Sequence, residues 1–161
     1  MLAGLVSVSV KETDNNFLFF CLFFRKECGG ELSGETGTLT SPSYPRSTSK
    51  QVICTWKITV PEGARIKFEF IDLNIQDNLG CSTGYVQIKD LVKSSFESLG
   101  AFCGHTIPTA VNSKGNVIEV GYLSDKNAKT RGFRARWSTF YKSDEKEEKK
   151  EKGKKKLSFL L

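Results

Sequence analysis

Cysteine and histidine are the residue types of this chain with the most diagnostic chemistry, and the cysteines are the more numerous. The sequence of 161 residues holds five cysteines and one histidine. Zinc sites usually draw thiolates from Cys-x-x-Cys pairs, which this chain lacks, so disulfide bonds are the better interpretation. Four of the cysteines lie 22 to 27 positions apart, namely Cys28, Cys54, Cys81 and Cys103. They allow three pairings, among which the sequence does not choose.

Disulfide bonds would locate the protein and stabilise it. If the pairs are sequential, the closed loops span 26 and 22 positions. The chain-entropy model gives each such bridge roughly 3–3.5 kcal/mol. Bridges of this kind persist in oxidising compartments, so we expect an extracellular or secreted protein. Cys21 is left over and has no assigned role.

Residues that could catalyse a reaction are scarce. His105, the single histidine, stands in Cys-Gly-His-Thr-Ile-Pro with no Gly-x-Ser-x-Gly or other nucleophile motif. The pairs Gly29 with Gly30 and Gly34 with Gly37 are interpreted as turn glycines, since no glycine-rich phosphate loop is present. We therefore predict that the chain is not an enzyme and that His105 is an exposed turn residue.

Composition indicates one folded domain that does not bind nucleic acid. The chain length suits a single core, and 39% of the residues are apolar. Of the net charge of +6, residues 28–141 carry only +3. A nucleic-acid binder would show a clustered basic excess in a recognisable module, which is absent.

The elements that must position these residues are short strands. Apolar side chains alternate with polar ones around residues 66–70, 118–122 and 133–137, which predicts strands with one buried face. Residues 55–60 and 85–89 are two more predicted strands. Turn signals at residues 61–63, 77–80 and 113–116 separate them. This pattern favours an all-β fold, an antiparallel β-sandwich of two sheets. The large aromatic residues on the inward faces are predicted to form the core, namely Trp56, Phe68, Phe70, Phe133 and Trp137.

The ordered motifs resemble a known family. Cys-Gly-Gly at residue 28, Leu-Thr-Ser-Pro-Ser-Tyr-Pro at 39–45 and Cys-Thr-Trp-Lys-Ile at 54 come first. Tyr-Val-Gln-Ile at 85, Cys-Gly-His at 103, Ser-Asp at 124 and Gly-Phe at 132 follow. In this order and spacing they resemble a CUB domain, an extracellular module used mainly to bind other proteins. The resemblance covers residues 28–141 and implies a jelly-roll-like sandwich with bridges Cys28–Cys54 and Cys81–Cys103.

The resemblance also raises the question of calcium. Calcium-binding CUB domains combine a loop tyrosine, which matches Tyr44, with three acidic residues. Those acids fall here on Asn74, Gly84 and Asp125, so only the last is kept. Calcium takes six to eight oxygen ligands with several carboxylates. We therefore expect a degenerate site with no bound metal and no other cofactor.

One basic cluster could bind an anionic partner. Its members lie on the last predicted strand and in the loop before it: Lys126, Lys129, Arg131, Arg134 and Arg136. Arg134 and Arg136 share the outward face of that strand. Such a cluster could receive acidic protein side chains or sulfated glycans. The alternative is a solvated strand face.

The chain ends differ from the middle. Residues 1–27 hold a poor signal peptide, and the apolar run at residues 17–24 is too short for a membrane span. Residues 142–161 are a Lys/Glu-rich tail expected to be unstructured. Both ends are open to two interpretations, a gene-model artefact or a genuine short protein.

The combined expectation is a non-catalytic, secreted protein-interaction module. We expect it to be one CUB unit of a larger secreted or membrane-anchored protein. Two alternatives stay open, a stand-alone glycan-binding protein similar to spermadhesins and an accessory domain of an extracellular protease or receptor.

Overall fold

The computed structural model describes residues 28–47, 50–77, 80–92, 95–125 and 129–142. Cys21, Lys126 and most of the two predicted terminal segments lie outside these residues. The described strands are β1 (Gly30–Ser33), β2 (Thr36–Thr40), β3 (Val52–Thr59), β4 (Arg65–Asn74), β5 (Tyr85–Val92), β6 (Ser95–Phe102), β7 (Val111–Asn112), β8 (Val117–Ser124) and β9 (Gly132–Phe140).

The strands form two stacked sheets, as predicted. One sheet has five strands in the order β1-β3-β8-β5-β6, and the other has four in the order β2-β9-β4-β7. All neighbours pair antiparallel except β1, which runs parallel to β3. Apolar residues alternate with polar ones along β3, β8 and β9, so each sheet buries one face against the other. The chain is therefore an all-β sandwich.

The core is centred on aromatic rings from both sheets. Phe133, which is fully buried, packs edge-on against Trp56, Phe70 and Tyr122, with ring centroids 5.4 to 6.1 Å apart. Trp56 and Tyr122 belong to the five-stranded sheet, whereas Phe70 and Phe133 belong to the other. These contacts hold the two layers together, and all the aromatic residues assigned to the core from the sequence are buried.

Two disulfide bonds cross-link the sandwich, and their pairing is the one that the resemblance implied. Cys28 bonds to Cys54 and so ties the start of β1 to β3. Cys81 bonds to Cys103, which joins the segment before β5 to the end of β6. Next to this second bridge, Gly104 and Ile75 exchange backbone hydrogen bonds of 2.8 and 3.0 Å. Each bridge therefore links a residue that precedes one strand to a residue within or directly after another strand.

Two of the four predicted turn glycines are instead strand residues, which corrects that prediction. Gly30 lies in β1 and Gly37 in β2. A Cβ atom added at Gly37 would lie 2.1 Å from the ring of Trp137, its partner on β9. Gly37 is therefore explained by the ring that covers it and not by a turn.

Candidate interaction surfaces

The residues of the predicted calcium pattern, Tyr44, Asn74, Gly84 and Asp125, lie at one end of the sandwich, which we call the loop end. It consists of residues 41–47, 74–77, 80–84, 103–105, 125 and 129–131. β2, β4 and β8 finish at this end, whereas β5 and β9 begin there. The strand register explains the convergence, because Asn74 pairs with Gly132 and Tyr85 pairs with Leu123.

A β-bulge in β4 turns the carboxylate of Asp72 outward, next to the loop end. The register of β4 against β9 shifts between Phe70 and Asp72. Phe70 and Leu73 are buried on either side of this shift, while the Asp72 side chain keeps 27% of its exposure. An unbroken alternation from Phe68 and Phe70 would have buried residue 72. The bulge therefore places Asp72 on the outer face, opposite Arg134 of β9.

Asp72 accepts bonds from two other loops. The hydroxyl of Tyr44 donates to Asp72 Oδ2 over 2.9 Å, and Arg131 Nη2 lies 3.4 Å from both carboxylate oxygens. The backbone N–H of Arg131 also donates to Asn74 Oδ1 over 3.0 Å. A tyrosine, a carboxylate and a guanidinium thus connect the 41–47 loop, β4 and the segment before β9.

The pKa of the Tyr44 phenol depends on this arrangement. Its hydrogen bond to Asp72 raises the pKa of Tyr44 above the ordinary value of 10.0, with burial adding to the shift, while the charges of Arg131 and Arg134 oppose it. Since the folded pKa is raised, the neutral phenol contributes stability below about pH 10 that is lost as the pH rises through the folded pKa.

We predict opposite titration shifts for the two partners of Tyr44. Asp72→Asn should lower the pKa of Tyr44, because it removes the carboxylate that holds the phenol proton. Arg131→Ala should raise that pKa further, because it removes a charge that favours phenolate. The measurement is an ultraviolet titration of each variant against the same variant carrying Tyr44→Phe. Shifts of the same sign in both variants would contradict the geometry.

Of the predicted basic cluster, Arg134 and Arg136 lie on the outer face of the four-stranded sheet, whereas Lys129 and Arg131 belong to the loop end. Arg134 and Arg136 are exposed on β9, opposite Thr40 and Thr38 of β2. Arg136 Nε lies 3.0 Å from Glu69 Oε2. Among the described residues, Arg134 and Lys129 have no carboxylate within ion-pair distance. We call Lys129, Arg134 and Arg136 the basic strip.

Glu69 lowers the effective charge of this strip. Burial raises the pKa of Glu69, but hydrogen bonds from Lys67 and Arg136 outweigh it and leave that pKa below the ordinary 4.5. Glu69 is therefore ionised at neutral pH and shared between Lys67, at 3.2 Å, and Arg136. The stability that the ionised carboxylate of Glu69 contributes through these two ion pairs is lost only in acid, as the pH falls through its folded pKa.

The single histidine is an exposed residue of the loop end. It borders an open cavity of about 540 Å³ lined by Asn74, Gln76, Asp77, His105, Lys129 and Thr130. No hydrogen bond joins His105 to a hydroxyl or carboxylate within the described part of the chain. The cavity is open to solvent, and none of its lining residues forms a hydrogen-bonded pair of nucleophile and base with His105.

The fold and the cysteines define an extracellular, disulfide-bonded β-sandwich module. In the described ranges, no helix is long and apolar enough to span a bilayer. The family model described as CUB domain matches residues 28–137, so the chain belongs to the CUB domain family.

Relatives and solved structures agree with this assignment. Human tumor necrosis factor-inducible gene 6 protein is 33% identical over 112 residues, which cover 70% of this chain and 40% of that protein. The full extracellular region of zebrafish Gpr126/Adgrg6 matches with a TM-score of 0.62 and 30% identity, over 71% of this chain and 15% of that one. The MASP-1 CUB2 domain bound to Ca²⁺ matches with a TM-score of 0.59 and 29% identity, over 67% and 96% respectively. This chain spans less than half the length of the curated relatives it matches.

The loop end of this chain does not fit calcium as the family pattern requires. Asn74 stands where the pattern has an acid, and its Oδ1 already accepts a hydrogen bond. Gly84 offers no side-chain ligand. Across the described ranges, no three His, Cys, Asp or Glu residues are grouped as a metal site. The tyrosine and one acid of the pattern are present as Tyr44 and Asp125, but two carboxylates are missing.

Proposed function

We propose that this CUB domain is a non-catalytic module that binds an acidic extracellular protein through its basic strip. The observation that carries the proposal is the exposed pair Arg134 and Arg136 on β9. Within the described ranges, Glu69 forms an ion pair with Arg136, whereas no carboxylate lies within ion-pair distance of Arg134. Guanidinium groups bind carboxylates with two parallel hydrogen bonds, which suits acidic side chains. A flat sheet face presents them without an entropic cost of ordering a loop.

The absence of catalysis in this proposal is supported by the surroundings of His105. It lies on an open polar surface, and the described loop end offers it no activated nucleophile. A domain of this kind would act by presenting a surface. We further propose that residues 28–141 serve as one unit of a larger protein, since each relative compared carries the domain as a fraction of its length. Peptide mapping of the natural secreted protein would test this by detecting further domains on the same chain.

A glutamate-rich peptide is the probe for the binding surface. We expect it to bind the domain with an affinity that falls steeply as salt is raised. Arg134→Ala with Arg136→Ala should weaken binding at least tenfold, which corresponds to two lost charge-assisted contacts of modest strength. The control pair is Lys57→Ala with Lys114→Ala, which removes the same charge from elsewhere. Equal losses in both double variants would refute the basic strip as the binding surface.

Sulfated glycan is the second candidate ligand, because sulfate groups also pair with guanidinium. Heparin chromatography distinguishes it from the acidic protein. If glycan is the ligand, the double arginine variant should elute at clearly lower salt than the double lysine control. Retention that both double variants leave unchanged would exclude the glycan while leaving the peptide measurement to decide the protein partner.

A further inference from the structure

Arg131 lies where three segments of the loop end converge, and it contacts β4 through both its side chain and its backbone. Its guanidinium faces Asp72 on β4, and Asp72 in turn binds Tyr44 of the 41–47 loop. Its backbone N–H binds Asn74 at the end of β4. Tyr44 is therefore linked to the side chain of Arg131 through Asp72, and Asn74 is linked to the backbone of Arg131.

We infer that Arg131 takes over the structural role that the calcium ion has in metal-binding relatives, so that the loop end is assembled without metal. The cation is covalently part of the chain and stands directly before the first residue of β9. Its counter-charge, Asp72, reaches the outer face only because of the bulge in β4. Binding by this domain should then be indifferent to calcium chelators.

Space at Gly84 shows that sterics do not exclude the missing carboxylate. A Cβ atom built there would lie 3.4 Å from Ile75 Cγ2 and 3.4 Å from Leu123 O, which is ordinary van der Waals contact. The backbone of Gly84 is not in the left-handed region, so a residue with a Cβ atom can stand there without backbone strain. An aspartate can therefore be introduced at residue 84 to test for calcium binding.

The experiment compares melting temperatures of the domain in 5 mM calcium chloride and in EDTA. The wild-type domain should melt at the same temperature in both. Arg131→Ala should melt about 3 °C lower in both, the size expected when a half-exposed ion pair is lost from a domain of this length. Lys129→Ala is the matched control, since it removes a charge two residues away that has no carboxylate partner in the described structure, and it should leave the melting temperature unchanged.

A rebuilt site completes the test. The triple variant Asn74→Glu, Gly84→Asp, Arg131→Ala restores both carboxylates and removes the competing cation. Calcium should raise its melting temperature by about 4 °C, given the roughly 10⁻⁴–10⁻³ M affinity of extracellular calcium modules.

A local measurement separates this role from a general loss of stability. Hydrogen exchange in residues 41–47 should become about fivefold faster in Arg131→Ala, because Tyr44 loses the group that orients its acceptor. Exchange in the distant turn at residues 113–116 should not change. Stabilisation of the wild-type domain by calcium, equal effects of Arg131→Ala and Lys129→Ala, or a triple variant that ignores calcium would each overturn the inference.

Discussion

Replacing Phe133 with alanine should lower the free energy of unfolding by about 3–5 kcal/mol. The ring is fully buried and meets three others, those of Trp56, Phe70 and Tyr122. Two of these rings belong to the opposite sheet, so the cavity left by the substitution would open between the two layers. Edge-on aromatic contacts add to the loss from area alone.

Urea denaturation of the disulfide-bonded domain measures this loss, and Phe96 supplies the matched control. Phe96 is 69% exposed on β6, with the ammonium of Lys89 5.4 Å from its ring centroid. Phe96→Ala should therefore cost at most about 1 kcal/mol. Comparable losses for Phe133→Ala and Phe96→Ala would mean that the inter-sheet ring cluster does not hold the layers together.

Asp90→Ala should lower the free energy of unfolding by about 2–4 kcal/mol. Asp90 is completely buried on β5, and its Oδ2 accepts the backbone N–H groups of Lys114 and Gly115 in the turn before β8. The ammonium of Lys114 pairs instead with Glu97, 2.7 Å away. Alanine would leave both N–H groups without their acceptor.

Asp90→Asn separates the hydrogen bonds from the charge. The amide keeps one acceptor oxygen for the turn, so its loss should be about half that of alanine. Urea denaturation of both variants measures the difference. Equal losses would show that Asp90 contributes through its charge and that the bonds to Lys114 and Gly115 are incidental.

The strands with the clearest alternation were predictable from sequence. In β4, β8 and β9 apolar side chains recur at every second position, because each strand has one face in the core. The turn at residues 113–116 was equally clear from its Ser-Lys-Gly-Asn composition. In these strands and in this turn, the local sequence pattern and the tertiary structure favour the same residue types.

Four strands were not predicted, for identifiable reasons. β1 and β7 have four and two residues, which is too short for a period to show. β2 reads Thr-Gly-Thr-Leu-Thr, and its glycine suggested a turn until Trp137 was seen to cover it. β6 is an edge strand exposed on both faces over its first half, so it has no apolar face to detect.

The interaction surface could be predicted only in part. The outward direction of Arg134 and Arg136 follows from the two-residue period of β9 and is seen in the structure. The partners that neutralise Arg136 and Arg131 could not be foreseen, because Glu69 and Asp72 lie more than fifty residues away. The role of these residues in binding stays a prediction.

The fold class and the presence of disulfide bonds were predictable from the residues alone, and the resemblance to the family supplied the pairing of the cysteines. Both depend on patterns that are local or that recur as motifs, namely alternating strands and cysteines set beside them. The contact between Asp72 and Arg131 at the loop end, in contrast, depends on the tertiary structure. A bulge between Phe70 and Asp72 turns one carboxylate outward, and strand register brings Arg131 beside it. Such a meeting depends on distances between segments far apart in the chain, which no period or spacing in the sequence encodes.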